Sequence, residues 1–112
     1  MSAVAVCKLV DVPVSGALGV IVDGTPVAVV RDSDGDLHAV RDICSHADVA
    51  LSEGEVDGCT LECWLHGSRF DLRTGKPSGP PATSSVPVYR VTVEGEGDDA
   101  VVLVDVTVNA AR

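Results

Sequence analysis

The chain has 112 residues, 46% of them hydrophobic, with 17 acidic against 8 basic side chains and a formal net charge of -9. This length suits one packed domain, and this hydrophobic content excludes a disordered chain. The acidic balance excludes the basic patches that nucleic acid and anionic membranes need, and points to a basic partner if any surface steers docking.

Trp64, Phe70 and Tyr89 are the only aromatic residues, so Val, Leu and Ala must fill the core. Residues 4–10, "VAVCKLV", read as a first strand. "ALGVIVDG" and "PVAVVRD" read as a hairpin turning at Gly24-Thr25. "SDGD" is the next turn and "LHAVRD" the next strand, giving an antiparallel meander of three. The regularity fails from residue 43 to about 85, where Gly, Pro, Ser and Asp are frequent. "LSEGEVDG" predicts a brief helical turn and a short strand, "CTLECWLHG" a strand and loop, and "SRFDL" another short strand. Long strands return in "VPVYRVTVE", where Tyr89, Val91 and Val93 share a face, and in "AVVLVDVTV", where Val102, Val104, Val106 and Val108 do. "GEGDD" turns between them. The expected organisation is a single domain, 1–112, with a β-framework from 1–42 and 86–108 and a loop-rich insert at 43–85. A stretch of loop that long needs a functional explanation.

Residues 1–14 contain no basic leader followed by a sustained apolar run, and no apolar stretch approaches a membrane span. The expected compartment is the cytoplasm. There Cys7, Cys44, Cys59 and Cys63 read as thiols or metal ligands, not as two disulfides.

The insert holds two mixed pairs, Cys44-Ser45-His46 and Cys63-Trp64-Leu65-His66, with sixteen residues between His46 and Cys63. Each pair offers one soft sulfur and one imidazole nitrogen. Two metal readings compete: a structural zinc with two Cys and two His, or a two-iron, two-sulfide cluster with both Cys on one iron and both His on the other. Zinc sites usually pair like ligands, and Cys-x-His is an awkward bite for one tetrahedral ion. Two adjacent irons remove the difficulty, so the spacing favours the cluster. A zinc-stabilised interaction module is the non-redox alternative.

The pattern Cys-x-His, sixteen residues, Cys-x2-His resembles the Rieske iron–sulfur proteins. More closely it resembles the small ferredoxins of bacterial ring-hydroxylating oxygenase systems. The resemblance runs through "CSHADVALSEGEVDG", "LECWLHGSRFDLRTGKPSGPPA" and the flanking strands. It implies an all-β fold, an antiparallel β-sandwich or barrel with an inserted cluster-binding subdomain. It implies one [2Fe-2S] cluster, with Cys44 and Cys63 on the inner iron and His46 and His66 on the outer one. Gly67 and Ser68 would approach the sulfides, and Pro80 lies in the Gly79-Pro80-Pro81 run that resembles the covering proline loop. Trp64 either shields a ligand loop or simply packs, and Arg69, Arg73 and Lys76 read as a solvated face. Cys7, Cys59 and His38 match no ligand position and read as structural residues.

The function implied is a soluble one-electron carrier, not an enzyme. It would take electrons from a flavin-dependent ferredoxin reductase and pass them to a terminal oxygenase or another oxidoreductase, in transient contacts. Alternatives are a component linked to iron–sulfur assembly, a nitrite reductase small subunit, or a redox sensor. Two thiolates leave an oxidised cluster neutral where four would make it doubly negative, so histidine ligation raises the potential. High-potential relatives carry a disulfide between the ligand loops and a Tyr hydroxyl on a ligand sulfur. Here Val49 and Leu65 stand at the disulfide positions and Phe70 at the Tyr. The expectation is a potential nearer about -150 than +300 mV, moderated by Ser68, that falls with pH once the histidines titrate.

Overall fold

Valine-rich alternation becomes strand, and Gly, Asp and Pro end each run. The structure is a computed structural model describing residues 3–43, 49–64, 67–78 and 85–109. Its strands are β1 (Val4–Lys8), β2 (Gly16–Val22), β3 (Thr25–Arg31), β4 (Leu37–Arg41), β5 (Val56–Asp57), β6 (Thr60–Glu62), β7 (Arg69–Asp71), β8 (Val88–Glu94) and β9 (Val101–Asn109). Short 3-10 turns at Leu9–Asp11, Leu51–Glu53 and Gly97–Asp99 are the only helical elements among the described residues.

The expected meander is β2, β3 and β4. Its first turn falls one residue earlier than expected, because Val22 pairs with Thr25 and leaves Asp23-Gly24 as the two-residue loop. Both take positive φ, 49° and 81°, as a type I′ hairpin turn requires. The β-branched Thr25 is disfavoured there and goes into the strand. The first strand likewise stops at Lys8, short of Val10. The chain turns at Leu9, whose N–H donates to the Ala100 carbonyl at 2.9 Å and whose carbonyl accepts from the Arg31 guanidinium at 2.9 Å.

Six strands form one antiparallel sheet in the order β1-β9-β8-β4-β3-β2, and its edge strands β1 and β2 lie against each other. The sheet is therefore a nearly closed barrel, which decides between the two all-β forms expected. The second sheet, β5-β6-β7, comes from within residues 56–71.

β3 explains how the two sheets meet. Val27 and Val29 pack inside the barrel with Val22, Ala39, Tyr89, Val102 and Val104. Ala28 and Val30 face the other way, into a second core with Leu51, Leu61, Phe70 and Leu72. All four β3 residues are fully buried, so the strand reads as a continuous apolar run because both its faces are covered. β4 and β8 divide similarly: Ala39 and Tyr89 point inward, while Val40 and Val88 join the second core. Cys63 belongs to that second core, so the packing that seats the small sheet also seats this thiol. Farther along β8, Val93 lies beyond the core and is exposed, although it shares a face with Tyr89. The side chain of Val108 lies outside the described residues.

Candidate metal centre

The second motif is built on the β6–β7 hairpin. Thr60, Leu61 and Glu62 pair with Asp71, Phe70 and Arg69. Beyond that ladder, the Cys63 N–H donates to the Ser68 carbonyl at 2.7 Å and the Gly67 N–H to the Cys63 carbonyl at 2.9 Å. These bonds pin both ends of the motif's loop. Gly67 has φ +76°, where a side chain is disfavoured. Cys63, Ser68 and Phe70 are buried at the base of the loop, while Trp64 is half exposed, which favours a role at the surface over plain packing. Arg69 is held by Asp57 at 2.6 Å and Glu62 at 3.5 Å. It is a paired, solvent-facing cation and not a free basic patch.

The first motif, Cys44 and His46, lies outside the described residues, as do His66 and Pro80. Their flanking anchors are described. Asp42, 8% exposed, accepts from the Ser52 N–H at 2.6 Å and from its hydroxyl at 2.7 Å. The Asp42 N–H donates to the Pro26 carbonyl at 3.0 Å, tying the same clamp to the barrel. A Cβ on Gly19 would stand 2.9 Å from both Asp42 Oδ2 and Ser52 Oγ, so any side chain there would push the pair aside. The segment containing Pro80 is closed by the Val86 N–H on the Gly75 carbonyl at 2.8 Å. Asp42 and Ser52 were not singled out from the sequence. An Asp two residues before a Cys carries no recognisable pattern, and Ser52 becomes its partner only when the chain folds back.

Cys63 fits a soft-metal ligand. Its sulfur is free, in no disulfide, and enclosed at the floor of a loop whose ends are fixed by hydrogen bonds. Cys7 and Cys59 are also free thiols. The Cys59 sulfur lies 3.7 Å from His38 Nε2. A groove of about 980 Å³ opens where β4 and β8 diverge, lined in part by His38, Arg73 and Tyr89. Among the described residues, none from the Cys63 loop lines it. No helix among the described residues is long and apolar enough to cross a membrane.

The sequence profile of the Rieske [2Fe-2S] domain matches residues 2–90. The 3-phenylpropionate/cinnamic acid dioxygenase ferredoxin subunit of Escherichia coli (strain K12) is 40% identical over 96 residues, spanning 85% of this chain and 89% of the relative. The ferredoxin of carbazole 1,9a-dioxygenase from Nocardioides aromaticivorans IC177 superposes with a TM-score of 0.81 at 34% identity, covering 92% of this chain and 97% of that one. A ferredoxin in a complex of reduced oxygenase and oxidised ferredoxin, in carbazole 1,9a-dioxygenase, gives 0.77 at 31% identity, covering 92% and 93%. Proteins of this family hold a two-iron, two-sulfur cluster on Cys and His ligands, which is the donor chemistry of the two motifs. This chain belongs to the Rieske [2Fe-2S] family and is a ferredoxin-type electron carrier, a component that serves an oxidoreductase and is not itself the catalyst.

Proposed function

We propose that this ferredoxin works in the cytoplasm, taking single electrons from a flavin-dependent reductase and delivering them to the terminal oxygenase of a ring-hydroxylating system. Residues 43–85 form its cluster-binding insert. Cys44 and Cys63 hold one iron and His46 and His66 the other, with Gly67, Ser68 and Pro80 around them. The observation that carries this reading is the buried, unpaired Cys63 at the floor of a hydrogen-bonded hairpin loop. Two further likenesses support it: a dioxygenase ferredoxin subunit among the relatives and an oxygenase–ferredoxin complex among the structures.

When bound, the cluster accepts and returns one electron at a time. The chain's residues set how readily. Cys63 supplies thiolate charge from a site closed by Leu61, Phe70 and Leu72. Phe70, fully buried, offers no hydroxyl to a sulfur, which keeps the potential low. Trp64 gives the ligand loop an exposed apolar surface for a brief docking contact.

The test is the purified, cluster-loaded protein with its reductase and oxygenase. The expected results are two irons per chain, a Rieske-type electron spin resonance signal on reduction, and product formation that requires the ferredoxin. Cys63→Ser should lose the cluster. His66→Cys should lower the potential toward the plant-type value of about -400 mV. A colourless, zinc-containing protein would overturn the proposal.

A further inference from the structure

Asp32, His38 and Cys59 come from two different sheets and meet at one point. Asp32 directly follows β3, His38 sits on β4, and Cys59 lies in the β5–β6 turn. His38 Nε2 is 2.8 Å from Asp32 Oδ2 and 3.7 Å from Cys59 Sγ. All three ligand atoms lie within 4.8 Å of one another. Asp32 is 2% exposed and His38 14%.

The backbone holds each residue in place. Asp32 Oδ1 accepts from the N–H groups of Asp34 and Asp36, both at 2.9 Å, which leaves Oδ2 aimed at the imidazole. The two turns are tied reciprocally: the Ser33 N–H donates to the Gly58 carbonyl at 3.1 Å, and the Gly58 N–H to Ser33 Oγ at 3.0 Å. The Cys59 carbonyl accepts from the Leu72 N–H at 2.9 Å.

With Nε2 protonated, the imidazole and the Cys59 thiol both donate toward Asp32, so the metal-free trio is a hydrogen-bonded cluster whose thiol proton a cation would displace. Three lone-pair donors on one point, of sulfur, nitrogen and oxygen type, are what a borderline divalent cation takes.

We propose that Asp32, His38 and Cys59 form a second metal site, separate from the cluster ligands, for a thiophilic divalent cation of the zinc class, with water from the adjoining groove as fourth ligand. Tetrahedral zinc at ordinary bond lengths sets such donors about 3.4–3.7 Å apart. The sulfur–nitrogen separation already fits, and Asp32 Oδ2 need retreat only by about 0.6 Å. The groove reaches the site through His38 and Arg73. Bound there, the cation staples the small sheet that carries Cys63 to the β3–β4 hairpin. Binding expels the Cys59 proton.

The site does not depend on the cluster assignment, and metal counting keeps the two apart. Full-length, cluster-loaded protein is equilibrated with excess zinc and then desalted. Two irons and one zinc per chain are expected. In the double variant Cys59→Ser, His38→Gln the zinc should fall about tenfold while the irons and the Rieske spin signal stay. Zinc X-ray absorption on the unaltered protein should show one sulfur at about 2.3 Å with nitrogen and oxygen neighbours. No retained zinc in the unaltered protein, equal zinc in the double variant, or two sulfurs on the zinc would each overturn the proposal.

Discussion

Phe70 shows how one residue serves both stability and redox tuning. Its ring is 1% exposed and packs in the core that contains Cys63. Phe70→Ala should cost about 3–5 kcal/mol, read from the denaturant midpoint. Phe70→Tyr keeps the ring and adds a hydroxyl donor within the core that holds Cys63, so film voltammetry should show a raised potential. An unchanged value would mean that the hydroxyl does not reach a ligand sulfur. Asp32 sets a pH dependence. Burial raises its carboxyl pKa, but the hydrogen bonds from His38, Asp36 and Asp34 and the His38 charge outweigh this and hold it below the ordinary aspartate value of 3.8. A depressed folded value favours the folded state above pH 3.8, and that benefit is lost as pH falls from 3.8 through the folded value. Asp32→Asn should therefore be less stable at neutral pH, with the gap to the unaltered protein closing in acid. A gap that stays constant down to the acid transition would refute the sign.

At the scale of elements, the segments around the two motifs are held by hydrogen bonds at their ends. Asp42 and Ser52 clamp the first, the Cys63–Ser68 bonds close the second, and Gly75 with Val86 closes the segment containing Pro80. Asp42→Ala removes both acceptors from Ser52 and should cost about 1.5–3 kcal/mol. Ser52→Ala keeps the backbone bond and should cost less. The same order is expected in cluster loss to a chelator, and equal loss rates would show that the clamp does not govern the loop. Gly75 has φ +75°, and a Cβ there would lie 2.0 Å from the Val86 carbonyl oxygen. Gly75→Ala should therefore break that closure and speed cluster loss, as measured by the decay of the visible absorbance.

For the whole molecule, net charge and shape govern encounter. A chain of formal charge -9 is drawn to a basic docking face, and salt screens that attraction within about 10 Å at 0.1 M. The second-order rate of oxygenase reduction should fall as ionic strength rises. A rate flat in salt would leave docking to apolar contact around Trp64 alone.

Strand existence and metal chemistry were legible in the sequence for a common reason: both are local. Period-two valines announce β8 and β9, a continuous apolar run announces β3, and the two mixed Cys/His motifs announce the family's cluster. The Gly24-Thr25 turn was misplaced by one residue because the hairpin register depends on which partner Val22 takes, and Thr25 was the one that fitted. Barrel closure, the Asp42–Ser52 clamp and the meeting of Asp32, His38 and Cys59 were not legible. Each joins residues whose nearness depends on distant strands pairing and on the two faces of β3 being covered by different cores. The sequence by itself determined that the chain carries a Rieske-type cluster, because each Cys/His motif is written within three or four neighbouring residues. Only the tertiary structure decided how the binding loops are anchored, because those hydrogen bonds form between residues that the fold alone brings together.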